Sequence, residues 1–162
     1  MSMDADTADI IKGIEGLNQL DDDGIAAIAS ASSLHSVPEG TMFFEADDVS
    51  GDVYFVISGI VGVSTSSPET KAPLRIDYTE LLILRSGTIF GELSFLDGTR
   101  RSLTAVARER TLVLRLDGQL LKAVCDSNAF VGRAVYALLG KAAARAAKDV
   151  SMELRNLLAA RS

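Results

Sequence analysis

A carboxylate, a glycine and two arginines lie close together near the middle of the 162-residue chain. Gly91 permits close backbone approach, and Glu92 is an acceptor-only group when ionised, which suits the hydroxyl groups of a sugar. Arg100 and Arg101 follow an Asp-Gly turn, and an arginine fork matches two phosphate oxygens. Residues 93–96 are expected to form one helical turn whose free N–H groups favour an anion. These residues indicate a sugar-phosphate site, with an exposed Glu92–Arg101 ion pair as the plainer alternative.

The rest of the chain predicts helices at both ends and strands between them. One domain, residues 1–162, is expected, with helices in 1–33, a β-barrel in 34–116 and helices in 117–162. Five β-branched or aromatic runs, separated by Gly, Pro and Ser turns, are predicted strands: Met42–Glu45, Val53–Ile57, Ile60–Thr65, Leu74–Arg85 and Thr111–Leu116. Short strands at this spacing are typical of an antiparallel jelly roll. The predicted fold class is therefore α+β: an antiparallel jelly roll, or double-stranded β-helix barrel, flanked by N-terminal and C-terminal helices.

The last third of the chain carries a long helical pattern. Asp117 is expected to cap a short helix that runs through Cys125, and residues 126–128 offer a cap for a longer helix that continues to Leu158. Apolar residues recur along the longer helix at steps of three and four: Leu139, Ala143, Ala146, Val150, Leu154 and Leu157. This stripe predicts either a homodimer seam or a lid over the barrel of the same chain.

Composition excludes several classes of protein. The single Cys125 cannot form an internal disulfide and fits a reducing, cytoplasmic setting, and the single His35 is too few for a histidine-rich metal site. No apolar run is long enough to cross a membrane. Residues 1–60 carry twelve acidic and one basic side chain, whereas residues 61–162 carry ten acidic and fifteen basic ones. An anionic ligand is therefore expected in the basic part, with no role for the acidic part.

Three segments resemble the cyclic nucleotide-binding domain family. Residues 90–104 read FGELSFLDGTRRSLT and resemble its phosphate-binding cassette, which has an F-G-E-[LI]-[AS] opening, a loop, and an arginine followed by a small residue. Residues 37–43 resemble the family's first strand and glycine turn, and residues 52–59 resemble its following hairpin. The resemblance covers about residues 10–158, and places the cassette at residues 87–104.

The resemblance implies a ligand and a role for each site residue. Glu92 is expected to hold the ribose 2′-hydroxyl, and Arg101 is expected to pair with the cyclic phosphate. Backbone N–H groups of Gly91, Leu93, Ser94 and Ser102 would bind the phosphate as well, with the Ser102 hydroxyl as a further donor. The ligand is cAMP in preference to cGMP, with no cofactor, metal or catalysis. In this family the final helix usually covers the base, but no residue of the long helix is assigned to it.

Two features depart from the family pattern. Arg100 stands where many members have proline, and it is interpreted as a solvated charge. Ala46 stands near a position that is often glycine, and the loop from there to Tyr54 is one residue longer than usual. Both the alanine and the longer loop are expected to lie away from the cassette.

Two alternatives to a ligand-binding regulatory domain remain. The first is an interaction module with the same fold that has lost nucleotide binding and pairs with a partner through its long helix. The second is the sensor part of a DNA-binding transcription regulator. The family's regulators carry a helix-turn-helix after the long helix, and this sequence does not include one, so direct nucleic acid binding is not expected. The effector that would be regulated is not identified by any motif.

Overall fold

Two short helices open the fold in the computed structural model, which describes residues 3–65 and 80–161. Helix α1 spans Met3–Lys12 and helix α2 spans Asp22–Ser30. Asp21 caps α2, because its carboxylate accepts a hydrogen bond of 2.8 Å from the backbone N–H of Gly24. Both predicted N-terminal helices are therefore confirmed, and the acidic run lies at the positive end of the α2 dipole.

Within residues 3–65 and 80–161, eight strands form two antiparallel four-stranded sheets, in the orders β1-β8-β3-β6 and β2-β7-β4-β5. The strand bounds are Ser32–Val37 for β1, Met42–Phe44 for β2, Val53–Ser58 for β3, Val61–Ser64 for β4, Glu80–Leu84 for β5, Ile89–Phe90 for β6, Thr104–Ala107 for β7 and Thr111–Leu116 for β8. The predicted jelly roll is confirmed. Across the described residues no ladder joins the two sheets, so the barrel is not closed.

The observed strands differ from the predicted ones in three places. None of β1, β6 and β7 was among the five predicted strands: β1 begins two residues before the predicted start of the barrel at residue 34, and β6 has only two residues. All four residues of β7 are buried, so it lacks the alternation that marks a half-exposed strand. Part of the predicted strand Leu74–Arg85, residues 74–79, lies outside the described residues, and the remainder matches β5.

Two hydrophobic clusters hold these layers together. One fills the space between the two sheets and includes Phe44, Tyr54 and Phe90. The other packs the helices against the outer face of the first sheet, where Ile28 of α2 and Leu114 of β8 are fully buried. The second cluster matters for function because it ties the C-terminal helices to strands β3 and β8.

Two consecutive helices follow β8: α4 spans Gly118–Ser127 and α5 spans Ala129–Ala159. Their predicted caps are confirmed, since the Asp117 carboxylate accepts from the Leu120 N–H at 3.0 Å and the Asn128 side chain accepts from the Phe130 N–H at 3.1 Å. Helix α4 begins in close contact with the loop before β3. The approach is so close that a Cβ at Gly118 would collide with the Gly51 carbonyl. None of the described helices combines the length and hydropathy that crossing a membrane requires.

Candidate functional site

The turn between β6 and a third helix, α3, forms the edge of the candidate site. Helix α3 spans Glu92–Asp97, which confirms the predicted helical turn. Gly91 precedes it with φ +82°, in the left-handed region. A Cβ at this position would lie 2.8 Å from the Asp52 carbonyl oxygen and 3.0 Å from Nη1 of Arg101. The turn therefore needs glycine both for its backbone angle and for the close approach of these groups.

Arg101 is folded into the protein rather than extended into solvent. Its exposed fraction is 3%. Nη1 donates to the Gly91 carbonyl at 2.7 Å, and Nη2 donates to the Asp52 carbonyl at 2.6 Å and to the Ser50 hydroxyl at 3.1 Å. These three acceptors are neutral, and they fix the orientation of the guanidinium from the side of the loop and the turn.

The positive charge of Arg101 has no carboxylate partner within 4.0 Å among the described residues. Its Nε is buried and makes no hydrogen bond to any residue that the structure describes. Burial lowers the pKa of Arg101, while the negative charges of Asp52, Asp48 and Glu92 act in the opposite direction. A buried charge without a partner is costly, so this arrangement favours the binding of an anion.

Glu92 lies in the wall of the same site and is 4% exposed. Burial raises the pKa of its carboxyl group, and its own backbone N–H and the charge of Arg101 act in the opposite direction. The alternative of an exposed Glu92–Arg101 ion pair is wrong, because both side chains are buried and are not within ion-pair distance of each other. The two side chains therefore do not neutralise each other, and each is available to contact a ligand.

All six predicted site residues line one cavity of about 1390 Å³. Ser94 is buried, whereas the Leu93 side chain is 48% exposed and Ser102 is exposed. The cavity walls come from the cassette, from strands β4 and β5 and helix α5, and also from the segment after α1 and from Phe44 and Phe55. The structure thus brings the predicted residues together, although their individual roles remain predictions.

The loop before β3 lies directly against the cassette, contrary to the sequence-based expectation. The backbone N–H of Asp47 donates to the Arg101 carbonyl at 2.7 Å, and the Arg101 N–H donates to the Asp48 carbonyl at 2.9 Å. Arg100 is exposed, and its Nη1 donates to the Asp47 carbonyl at 3.0 Å. The longer loop and the acidic part of the chain therefore do contribute to the site, through backbone groups that sequence patterns do not reveal.

Asp52 is a residue whose role the sequence analysis missed. Its carbonyl holds Arg101, while its carboxylate accepts from the Arg115 guanidinium at 2.6 Å and from the Gly118 N–H at 2.9 Å. Gly118 is the first residue of α4. One residue thus connects the candidate anion site to the start of the C-terminal helices. In the sequence, the only indication of this role is that Asp52 directly precedes a predicted strand.

Helix α5 supplies one wall of the cavity, although no residue of this helix was assigned to the ligand from the sequence. Lys141, Arg145 and Asp149, spaced four residues apart, line the cavity together with Ala142 and Ala146. Phe95 of α3 contacts Tyr136 of α5, with ring centroids 5.8 Å apart. The cassette and the long helix are therefore in direct contact.

Fold and site together define a domain in which a buried cation and a buried carboxylate line one cavity. The family model of the cyclic nucleotide-binding domain matches residues 34–128. The chain belongs to the cyclic nucleotide-binding domain family, as the resemblance of its cassette predicted.

Solved structures of similar fold include bacterial and protozoan proteins. A cyclic nucleotide-binding domain from Methylobacillus flagellatus is 19% identical with a TM-score of 0.74, and the match covers 94% of this chain and 83% of that one. The regulatory domain of Toxoplasma gondii PKA, solved with cAMP, is 16% identical with a TM-score of 0.67, covering 90% and 50%. The catabolite activator protein of Thermus thermophilus is 27% identical with a TM-score of 0.63, covering 88% and 62%. The chain thus spans about half to two thirds of the latter two proteins.

Proposed function

We propose that this domain binds a cyclic nucleotide, cAMP in preference to cGMP, and acts as a regulatory sensor without catalysis. The observation that carries the proposal is Arg101, a buried guanidinium in a cavity wall with no carboxylate partner among the described residues. A cyclic phosphate supplies the missing negative charge. We also propose a cytoplasmic location, because the single cysteine, Cys125, is a buried free thiol.

Each predicted residue has a specific contact in this proposal. The phosphate lies against Arg101 and accepts from the backbone N–H groups of the cassette: Gly91, Leu93, Ser94 and Ser102. The Glu92 carboxylate accepts from the ribose 2′-hydroxyl. Because the carboxylate accepts and the guanidinium only donates, the two ends of a ribose cyclic phosphate fit the site in one orientation.

An interaction module that has lost its ligand is the less favoured alternative. Such a protein is expected to fill the former site with its own side chains. A cavity of about 1390 Å³ beside Arg101 and Glu92 argues against that alternative. The volume exceeds the usual range for small-molecule sites, about 300–1,000 Å³, so ligand entry does not require displacement of core residues.

Calorimetric titration with cAMP and cGMP tests the proposed function. We expect saturable heat with cAMP and weaker binding of cGMP, with 5′-AMP as a control that keeps base and ribose but lacks the cyclic phosphate. Absence of heat with both cyclic nucleotides would overturn the proposal. Equal affinity for the two would overturn only the preference for cAMP.

Ligand binding is relayed to α4 and α5 in our proposal, through the Asp52 contacts and the cavity wall. Phosphate competes with the Asp52 carbonyl for the Arg101 guanidinium, and the carboxylate of the same residue holds the first turn of α4. A change at Arg101 therefore changes the relative stability of two helix arrangements. Amide hydrogen exchange of residues 118–159 with and without cAMP measures this relay, and unchanged exchange would contradict it.

The buried carboxyl group of Glu92 predicts a pH effect on binding. Since burial raises its pKa, we expect the carboxylate to be protonated, and cAMP affinity to fall, at a higher pH than for an exposed glutamate. Glu92→Gln should weaken binding about tenfold at neutral pH, because a neutral acceptor replaces a charged one, and should remove this acid dependence. Calorimetry across the acid range measures both effects.

The raised pKa of Glu92 also predicts how the stability of the unliganded protein depends on pH. A carboxyl group whose pKa is raised on folding binds more protons when folded, so its contribution to stability decreases as pH rises through that pKa. Glu92→Gln should therefore flatten the pH dependence of urea unfolding. The exposed Glu109→Gln is the matched control, and it should leave both affinity and pH dependence unchanged. An equal effect of the two substitutions would contradict the role of Glu92.

We further propose that the C-terminal part of α5 pairs with a second copy of the chain. Leu154 and Leu157 of the apolar stripe are 56% and 48% exposed, and the adjacent Leu158 is 60% exposed. Ala143, Ala146 and Val150 of the same stripe line the cavity, so one face of the helix would serve both as lid and as seam. Exposed leucines on a helix are stabilised when a partner helix covers them.

The molecular mass in solution tests this pairing. We expect a dimer by light scattering, and a monomer after the double substitution Leu154→Glu and Leu157→Glu. Met152 is 62% exposed and lies on the opposite side of the helix, so Met152→Glu is the matched control and should leave the dimer intact. A wild-type monomer at high protein concentration would rule out the pairing.

A further inference from the structure

Strand β2 contains an irregularity that brings two consecutive aromatic rings to the same cluster. Successive side chains of a regular strand point to opposite faces. Phe43 and Phe44 nevertheless both contact Tyr54 and Phe90, with centroid distances of 5.3 Å for Phe43 and 6.2 and 6.0 Å for Phe44. The register with β7 shifts between Met42 and Phe44, and such a bulge re-aims a side chain.

The bulge places the Phe44 ring against the guanidinium of Arg101. The central carbon of the guanidinium lies 4.0 Å from the ring centroid. Phe44 is 9% exposed and Arg101 is 3% exposed, so the contact is shielded from water, where a cation–π interaction is stronger than at the surface. Phe44 also lines the cavity.

The ring supplies a constraint that the hydrogen bonds of Arg101 do not. Guanidinium N–H groups point in the plane of the group, so the Gly91, Asp52 and Ser50 acceptors fix its position within that plane. Because the central carbon of the guanidinium lies over the Phe44 ring, 4.0 Å from its centroid, the ring limits movement of the guanidinium in that direction. The plane of the guanidinium decides where its two remaining donors, Nε–H and the second Nη1–H, point.

We propose that Phe44 is a positioning residue for the ligand: it orients Arg101 toward the cyclic phosphate and stabilises the unpaired charge. This inference rests on the proposed function, and it adds a residue from outside the cassette to the phosphate end of the site. Without the ring, the guanidinium keeps its neutral acceptors but samples orientations that do not match the phosphate oxygens. Affinity for the ligand then falls even though Phe44 itself makes no contact with the phosphate in this proposal.

Three substitutions and one double variant test the role of Phe44. Phe44→Leu removes the ring and keeps an apolar side chain, and we expect cAMP affinity to fall about five- to twentyfold. Phe44→Tyr keeps the ring and should bind within about threefold of wild type. Phe43→Leu removes a ring from the same cluster, so it controls for packing and should also stay within about threefold.

The double variant separates positioning from packing. In an Arg101→Gln background, which lacks the cation, Phe44→Leu should change affinity less than twofold. A full effect of Phe44→Leu in that background would overturn the proposal. So would equal losses for Phe44→Leu and Phe43→Leu, since both would then reflect the aromatic cluster alone.

A measurement without ligand keeps this inference distinct from the proposed function. Protons above an aromatic face are shifted upfield, so the Arg101 Nε–H resonance should move downfield in Phe44→Leu and stay near its wild-type position in Phe44→Tyr and Phe43→Leu. If wild type binds neither cyclic nucleotide, the proposed function fails and this resonance alone decides whether Phe44 orients Arg101. An unchanged resonance in Phe44→Leu would overturn the positioning role.

Discussion

Arg101→Gln is expected to weaken cAMP binding about a hundredfold or more, the largest effect of any single substitution in this domain. Glutamine keeps a planar hydrogen-bonding group but removes the charge. Loss of one partner from a buried charge pair typically costs about 2–5 kcal/mol, and about 1.4 kcal/mol corresponds to a factor of ten. Calorimetry with cAMP at high protein concentration measures the remaining affinity.

The neighbouring arginine provides the matched control for this substitution. Arg100 is exposed and its guanidinium donates to the Asp47 carbonyl, so Arg100→Gln should change affinity by less than about threefold. Urea unfolding of both variants checks that the fold is retained. Equal losses for the two substitutions would show that binding depends on general positive charge, and would contradict the assignment of Arg101 to the phosphate.

Gly91→Ala is expected to have the second largest effect, on both stability and binding. The residue has φ +82°, which costs a non-glycine residue about 1–2 kcal/mol. The new methyl group would also lie 2.8 Å from the Asp52 carbonyl and 3.0 Å from the Arg101 guanidinium, and overpacking of this kind costs about 1–3 kcal/mol. Because these groups orient Arg101, cAMP affinity should fall at least about tenfold.

A substitution at Gly40 separates the cost of the positive φ angle from the cost of the steric overlap at Gly91. It has φ +86°, close to that of Gly91, and a Cβ there would meet nothing within 4 Å. Gly40→Ala should therefore lose about 1–2 kcal/mol of unfolding free energy and keep the wild-type affinity. If Gly91→Ala matches this control in both measurements, the close approach at the site has no functional importance.

Much of the fold was predictable, because its signals are local. Strand β8 was predicted with its observed bounds, and the caps Asp117 and Asn128 mark the starts of α4 and α5. Strand β7 was missed because all its residues are buried, which removes the alternating pattern. The two-residue strand β6 has too few residues for any pattern.

The sequence alone indicated the candidate cassette and the family to which the chain belongs. A glycine, a carboxylate and an arginine within eleven consecutive residues, 91–101, indicate a sugar-phosphate site without any tertiary contact, because these residue types suit the hydroxyl groups and the phosphate of such a ligand. The resemblance to the family then implied the roles of Glu92 and Arg101.

Only the tertiary structure decided how Arg101 is held. Its acceptors are backbone carbonyls and a hydroxyl from residues 50, 52 and 91, and any residue type carries a backbone carbonyl, so no sequence pattern indicates them. The bulge that turns Phe44 toward the guanidinium depends on the register of β2 with β7, in which Met42 pairs with Val106 and Phe44 pairs with Ala105, residues distant in the sequence. Residues from the acidic part of the chain contact the site through such backbone groups, the Ser50 hydroxyl and the charges of Asp48 and Asp52, which only folding brings near Arg101.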